Sequence, residues 1–186
     1  MLTIMERARV RAQSPIPQNF PPPVPTTAKT SATLSRLYAR PGFLLRRANQ
    51  ISAAVFEDEC RELALTPAQF GVLTVLKSHP GLGQSSLARA LGFDKVTVLR
   101  VLRGLEARGF VARAPAPDNK RNVSVALTAG GLGVLSQAQK PAERAYKRLL
   151  APLDKSQQVQ LAGLLQLLTG ELEGEARAAF VPPGTR

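Results

Sequence analysis

The fold is decided by the stretch SSLARALGFDKVTVLRVLRGLEARGFVAR (85–113) together with DNKRNVSVALTAGG (118–131). The first stretch predicts two short helices, at 84–91 and 95–108, separated by Gly92-Phe93-Asp94. Asp94 suits the N-cap of the second helix, and Gly109 suits its C-terminal stop. Two strands are then predicted, at 110–113 and 123–127, with a turn at 118–122 between them. This order of elements predicts a winged helix-turn-helix.

Longer helices flank this motif on both sides. A helical pattern runs from Leu37 to Leu65 and is broken only at Pro41-Gly42. Thr66, Pro67 and Gln69 form the capping box of the next helix, which is apolar nearly all round and ends at 79–81. The later helix starts are Thr128, in a helix that Pro141 is expected to kink or divide, and Asp154 with Gln157. The predicted fold class is therefore mainly α with a small β-wing.

The chain divides by composition into an arm, a central domain and helical flanks. Residues 1–35 hold six of the 15 prolines and form a basic N-terminal arm, either a disordered tail or a segment that contacts DNA or a partner subunit. Residues 66–128 are assigned to the winged helix-turn-helix, and 36–65 with 129–178 to a helical dimerisation region. Residues 179–186 remain as a C-terminal tail.

Composition restricts the function. Lys and Arg exceed Asp and Glu by 25 to 13, a net charge of +12, which favours nucleic acid as the partner and an anionic membrane surface second. One Cys and one His exclude a Cys-rich zinc site, a multi-His metal centre and a His dyad. No apolar run is long enough to span a bilayer, and no secretory signal is visible. We expect a cytoplasmic protein that is not an enzyme and needs no cofactor or metal.

The second helix of the motif has a face suited to the major groove. Val98, Val101, Leu102 and Leu105 are expected to point inward, and the opposite arc carries Val96, Thr97, Arg100, Arg103, Gly104 and Ala107. Arg100 can bond guanine, and Thr97 can reach a base edge or a thymine methyl. The remaining predicted DNA contacts are Gln84, Ser85, Ser86 and Lys95 near the helix starts, with Lys120 and Arg121 at the wing tip. The segment 84–130 contains eight basic and three acidic residues, so the positive charge is concentrated where DNA would bind.

These stretches, with LTPAQFGVLTVL (65–76), resemble the multiple-antibiotic-resistance regulator (MarR) family over residues 36–175. The resemblance implies a homodimer whose first and last helices interlock, with Leu161, Leu164, Leu165, Leu168 and Leu172 in the interface. It also implies that Arg121 enters the minor groove. Many members carry Asp two residues before that arginine; here Asn119 stands there and Asp118 one position earlier.

The segment RPGFLLRRANQISAAVF (40–56) resembles a branch of the family that regulates breakdown of aromatic acids, of nicotinate or hydroxycinnamate type. In that branch His often follows the Arg-Arg-Ala stretch, whereas this chain has Asn49. The family architecture implies an effector pocket in which Arg46 pairs with a carboxylate, Asn49 bonds a ring substituent, and Phe43 or Phe70 stacks. The alternative is that Arg46 makes an interhelix ion pair and the phenylalanines are core.

Other polar residues favour structural roles. Cys60 is either a structural thiol or a peroxide sensor, and its acidic neighbours, Glu57, Asp58, Glu59 and Glu62, are expected to raise its pKa and favour the former. The acidic run itself is interpreted as a solvated helix face, and His79 as a capping or solvent-facing residue.

The sequence thus predicts a homodimeric regulator of aromatic-compound catabolism, a repressor that binds double-stranded DNA. A small aromatic carboxylate or aromatic acyl thioester would release it from a palindromic operator. The alternative is a winged-helix protein-interaction module whose basic face binds an acidic partner.

Overall fold

The computed structural model describes residues 32–115 and 123–184, which form seven α-helices and three short strands. The helices are α1 (Ala32–Tyr38), α2 (Pro41–Glu59), α3 (Pro67–Ser78), α4 (Gln84–Ala90), α5 (Lys95–Ala107), α6 (Ala129–Leu150) and α7 (Lys155–Glu171). The strands are β1 (Leu82–Gly83), β2 (Val111–Pro115) and β3 (Val123–Leu127). Helix α1 belongs to one compact unit, and every other element to a second that begins at Pro41. The predicted fold class is confirmed.

The predicted helix starts are confirmed by their hydrogen bonds. The Gln69 backbone N–H donates to the Thr66 hydroxyl at 3.3 Å, and the Thr66 N–H donates to the Gln69 side chain at 3.1 Å. Asp154 and Gln157 form the same reciprocal pair at 2.9 and 3.0 Å. Each pair satisfies two N–H groups that would otherwise lack a partner at a helix start.

The bounds of the long helices differ in part from the prediction. The break expected at Pro41-Gly42 is present, since α1 ends at Tyr38 and α2 begins at Pro41, but α2 ends at Glu59 and a 3₁₀ turn at Arg61–Leu63 replaces the expected helix up to Leu65. Pro41 starts α2 because a first helical position needs no backbone N–H. Of the two outcomes expected at Pro141, a kink or a division of the helix, the division does not occur, because α6 continues to Leu150. Ala138, Ala142 and Ala145 are buried in the core, and this packing holds the helix together around the one missing hydrogen bond.

The core joins the motif to the long helices. Fully buried leucines and valines from α3, α4, α5 and β3 form one cluster with Phe56 and Cys60 near the end of α2 and with the alanine side of α6. The sheet order is β1-β3-β2, all antiparallel, so β3 is the central strand. The strand β1 was not predicted because two residues carry no alternating pattern.

Candidate nucleic-acid interface

Helix α5 is fixed by one face and presents the other. Val98, Leu102 and Leu105 are fully buried, as predicted, and Val101 is half-buried. On the opposite side Val96 is 75% exposed, and the side chains of Arg100 and Arg103 are exposed. The helix therefore projects an arc of side chains whose positions are set by the buried face.

The N-cap of α5 engages one of the predicted base-reading residues. The Thr97 backbone N–H donates to Asp94 Oδ1 at 2.7 Å, and the Thr97 hydroxyl donates to Asp94 Oδ2 at 3.1 Å. These bonds lower the pKa of the Asp94 carboxyl, the backbone bond most of all. Because the hydroxyl proton is used here, Thr97 offers its methyl group and an acceptor oxygen to a partner.

Gly104 does not belong to the outward arc, contrary to prediction. It is half-buried, and a Cβ added to it would lie 3.5 Å from the Gln69 side chain of α3. The position therefore faces α3, where the small residue allows the two helices to approach.

The predicted basic surface contains two arginines with internal roles. Arg108 donates to the carbonyls of Leu63 and Ala64 at 2.6 and 2.7 Å, and its guanidinium lies 4.6 Å from the Phe110 ring centre. Arg113 Nε lies 3.2 Å from Glu106 Oε2, and the Arg113 side chain is only 22% exposed. Two of the eight basic residues counted between 84 and 130 are therefore bonded within the protein.

Four basic side chains near the motif are exposed and available to a binding partner. Arg89, Lys95, Arg100 and Arg103 are exposed and make no side-chain hydrogen bond or ion pair with another residue of 32–115 or 123–184. Arg100 also contributes to the lowered pKa of Asp94. Because four cations outnumber this carboxylate, the surface favours an anionic partner.

The other predicted DNA contacts lie on either side of α5. At the start of α4, Ser85 is exposed, whereas Gln84 and Ser86 are half-buried. Gly83 at the N-cap supplies no side-chain cap. The predicted wing-tip contacts Lys120 and Arg121, with Asp118 and Asn119, lie outside the described residues.

The four predicted ligand-binding residues occupy two places. Arg46 lies over the Phe43 ring, 4.9 Å from its centre, and donates to the Gln50 side chain at 3.2 Å. Asn49 is exposed on the same helix, α2. Phe70 packs against Phe56 instead, with ring centres 5.4 Å apart.

A small cavity does lie where α2, α3 and α6 meet. Its volume is about 50 Å³, and it is lined by Ser52, Phe56, Pro67, Ala145, Tyr146 and Leu149. Pockets for small ligands usually measure about 300–1,000 Å³. An aromatic acid therefore requires this region to open.

The acidic run on α2 is not merely a solvated face, contrary to prediction. Glu59 Oε2 lies 2.9 Å from Arg144 Nε, and Asp58 Oδ2 lies 2.6 Å from Arg148 Nη1, so the run ties α2 to α6. Asp58 also pairs with Arg61. The hydrogen bond from Arg148 is the largest cause of the lowered pKa of Asp58, and the bond from Arg144 of the lowered pKa of Glu59. The pairing needs residues 85 or more positions apart, so no local pattern revealed it.

The one cysteine of the chain is buried in the core, and the one histidine ends a helix. Cys60 is 1% exposed, and burial is the main cause of its raised pKa; Glu59 adds to the shift and Arg144 opposes it. The predicted direction is right, but the acidic neighbours are the minor cause. His79 is the C-cap of α3, where its backbone N–H donates to the Val75 carbonyl at 2.9 Å.

No helix in 32–115 or 123–184 is long and apolar enough to cross a membrane. The same ranges contain no cluster of three or more His, Cys, Asp or Glu side chains able to hold a metal ion.

Comparison with known proteins points to one family. The model of the MarR family matches residues 65–123. The repressor NicR of Pseudomonas putida KT2440 is 31% identical over 143 residues, 76% of this chain and 90% of that protein.

Solved structures agree with this match. A structure of Bordetella bronchiseptica BpsR, described as showing regulation of DNA binding by 6-hydroxynicotinic acid, is 30% identical, with a TM-score of 0.67 over 71% of this chain and 94% of that one. Mutant MarR from Escherichia coli bound to operator DNA is 28% identical, with a TM-score of 0.64 over 68% and 91% of the two chains.

Proposed function

Because this chain belongs to the MarR family of transcriptional regulators, we propose that it is a homodimeric repressor that binds a palindromic operator and is released by a small aromatic carboxylate or its thioester. The observation that carries the proposal is the exposed face of α5. Arg100 and Arg103 are exposed on it, and the opposite face of the helix is buried in the core. In this proposal residues 66–128 bind DNA and residues 36–65 and 129–178 form the dimer. Residues 1–35 are an arm, and 179–186 a tail.

The proposed DNA contacts divide into base readers and phosphate contacts. Arg100 bonds a guanine edge, while Val96 and the Thr97 methyl contact thymine methyl groups. Arg103 and Lys95 neutralise phosphates beside the major groove, and Lys120 and Arg121 extend the contact from the wing. Gln84, Ser85 and Ser86 contact the backbone at the start of α4.

The proposed dimer is supported by exposed apolar surface on α7. The five leucines of the predicted stripe are each between 37% and 62% exposed in the single chain: Leu161, Leu164, Leu165, Leu168 and Leu172. A water-soluble chain rarely leaves a contiguous patch of this kind uncovered. Two-fold pairing would set the recognition helices about 34 Å apart, one turn of DNA.

The proposed effector site uses Arg46 and Phe43, with Asn49 on the same helix and Phe70 on α3. Support comes from the Arg46–Phe43 contact, which places side by side a guanidinium that can pair with a carboxylate and a ring that can contact another aromatic ring. Support also comes from BpsR, whose DNA binding is described as regulated by 6-hydroxynicotinic acid. A carboxylate at Arg46 would replace the Gln50 side chain as its acceptor.

The test is DNA binding by the purified protein to duplexes of equal length and different sequence, starting with the region upstream of its own gene. A repressor binds one duplex at least a hundredfold more tightly than a scrambled one, because only base contacts distinguish them. Equal affinity for all duplexes would refute operator binding and favour the acidic-partner alternative. Light scattering then tests the dimer, and a thermal-shift screen of aromatic acids tests the effector.

A further inference from the structure

The C-terminal residues 176–184, called the strap below, lie against the helix-turn-helix. The 3₁₀ turn Glu173–Glu175 follows α7, and the Glu173 carboxylate then accepts the Phe180 N–H at 2.7 Å. The Val181 N–H donates to the Arg89 carbonyl of α4 at 2.9 Å. Phe180 also lies beside Gly92, where an added Cβ would be 3.8 Å from the Phe180 Cβ. The strap is thus held at both its own turn and the motif.

A cavity of about 700 Å³ that is open to solvent lies between the strap and the motif, lined in part by the apolar residues Ala88, Phe93 and Ala179. Its lining includes Arg177 and Ala178 from the strap, Ser85 and Arg89 from α4, and Lys95 from α5. Within the described ranges the Arg177 side chain, like those of Arg89 and Lys95, has no hydrogen-bond or ion-pair partner.

The cavity contains little negative charge to balance these three cations. Among its lining residues the acid is Asp94, so one negative charge accompanies three positive charges. Three cations around one space therefore favour a partner that carries several anionic groups.

We propose that the strap is part of the DNA-binding surface and that Arg177 binds the same run of phosphates as Arg89 and Lys95. This inference rests on the proposed function. A sugar–phosphate backbone suits three neighbouring cations better than a single carboxylate does, because it carries one negative charge per nucleotide. Ser85 and Lys95 already belong to the face proposed to meet DNA. Since the strap is ordered in advance, binding loses little conformational entropy there.

The salt dependence of operator binding tests this contact. Arg177→Ala is compared with Lys140→Ala, which removes an exposed lysine of α6 that has no ion pair among the described residues. Log affinity falls as log salt rises, and loss of one phosphate contact makes this fall less steep by about 0.9 per half-site. Between 50 and 200 mM salt, the fold-decrease in affinity of Arg177→Ala is then about 3.5 times smaller per half-site than that of the wild type. The difference is the same on specific and scrambled duplexes. Lys140→Ala keeps the wild-type slope.

A second pair of variants tests the anchor. Glu173→Ala releases the Phe180 N–H, whereas Glu173→Gln keeps an oxygen acceptor, and both remove the same negative charge. We expect Glu173→Ala to weaken operator binding about threefold or more and Glu173→Gln to bind like the wild type. A wild-type salt slope for Arg177→Ala overturns the proposal, and so does tighter operator binding by Arg177→Ala or Glu173→Ala. Wild-type protein that binds no operator would instead overturn the proposed function.

Discussion

Gly131, in the first turn of α6, is the position where a single added methyl group should be most damaging. A Cβ there would lie 2.0 Å from the Phe110 carbonyl oxygen, far inside contact distance, and the blocking atom is backbone. That carbonyl accepts the Thr128 N–H at 3.1 Å, so the hydrogen bond must lengthen or break as the chain moves. Overpacking costs about 1–3 kcal/mol and the lost bond about 1 kcal/mol. Alanine's better helix propensity returns about 1 kcal/mol, leaving a net destabilisation of about 1–3 kcal/mol.

Gly133, two residues later in the same helix, is the matched control, because an added Cβ there meets nothing within 4 Å. Gly133→Ala is expected to stabilise the protein by up to about 1 kcal/mol. The assay is urea unfolding of both variants and the wild type at one protomer concentration, with the midpoint and the slope compared. Equal free energies of unfolding for the two alanine variants would refute the reasoning.

Four further outcomes are expected. Arg100→Ala should cost about 1–3 kcal/mol at one base pair per half-site, and a uniform loss across sequences would reduce Arg100 to a phosphate contact. Arg121→Ala should weaken operator binding about tenfold or more with fold and dimer intact, so unchanged affinity in a titration would exclude its minor-groove role. Arg46→Ala should keep DNA binding but abolish release by an aromatic acid; release at wild-type acid concentrations would place the effector site elsewhere. Because folding lowers the pKa of Asp58, its carboxylate stabilises the folded protein at pH values above the usual carboxyl pKa. This stabilisation is lost as the pH falls through the lowered pKa. Arg148→Gln should therefore lose less stability on acidification below about pH 4 than the wild type does, as followed by thermal unfolding.

The features that the sequence predicted well are those encoded within a few residues. The capping box at Thr66, the caps at Asp94 and Asp154 and the stop at Gly109 each depend on one side chain and the next turn. Such signals act locally, so they can be recognised before the tertiary structure is known.

The features that it missed depend on contacts between distant segments. Arg108 resembles any exposed helical arginine until the fold places it beside the carbonyls of the Arg61–Leu63 turn and Ala64. Asp58 and Glu59 resemble a solvated run until α6 brings Arg144 and Arg148 opposite them. For the candidate site, the outward arc of α5 was predictable from helical periodicity. The strap was not, because its contacts use backbone groups with no characteristic sequence.

The central position of β3 has a mechanical consequence. β3 is hydrogen-bonded along both of its edges, to β1 and to β2. β1 leads directly into α4, and β2 follows α5 after three residues. Helices α4 and α5 pack against each other and against the strands, so we expect a displacement of the sheet to move both helices with it. The links to the long helices are bonded to the same unit: Thr128 before α6 donates its N–H to the Phe110 carbonyl and its hydroxyl to the Gly109 carbonyl, and Arg108 of the motif holds the turn between α2 and α3. In the proposed dimer, an effector that moves α2 or α6 would therefore act on the DNA-binding helices through these hydrogen bonds.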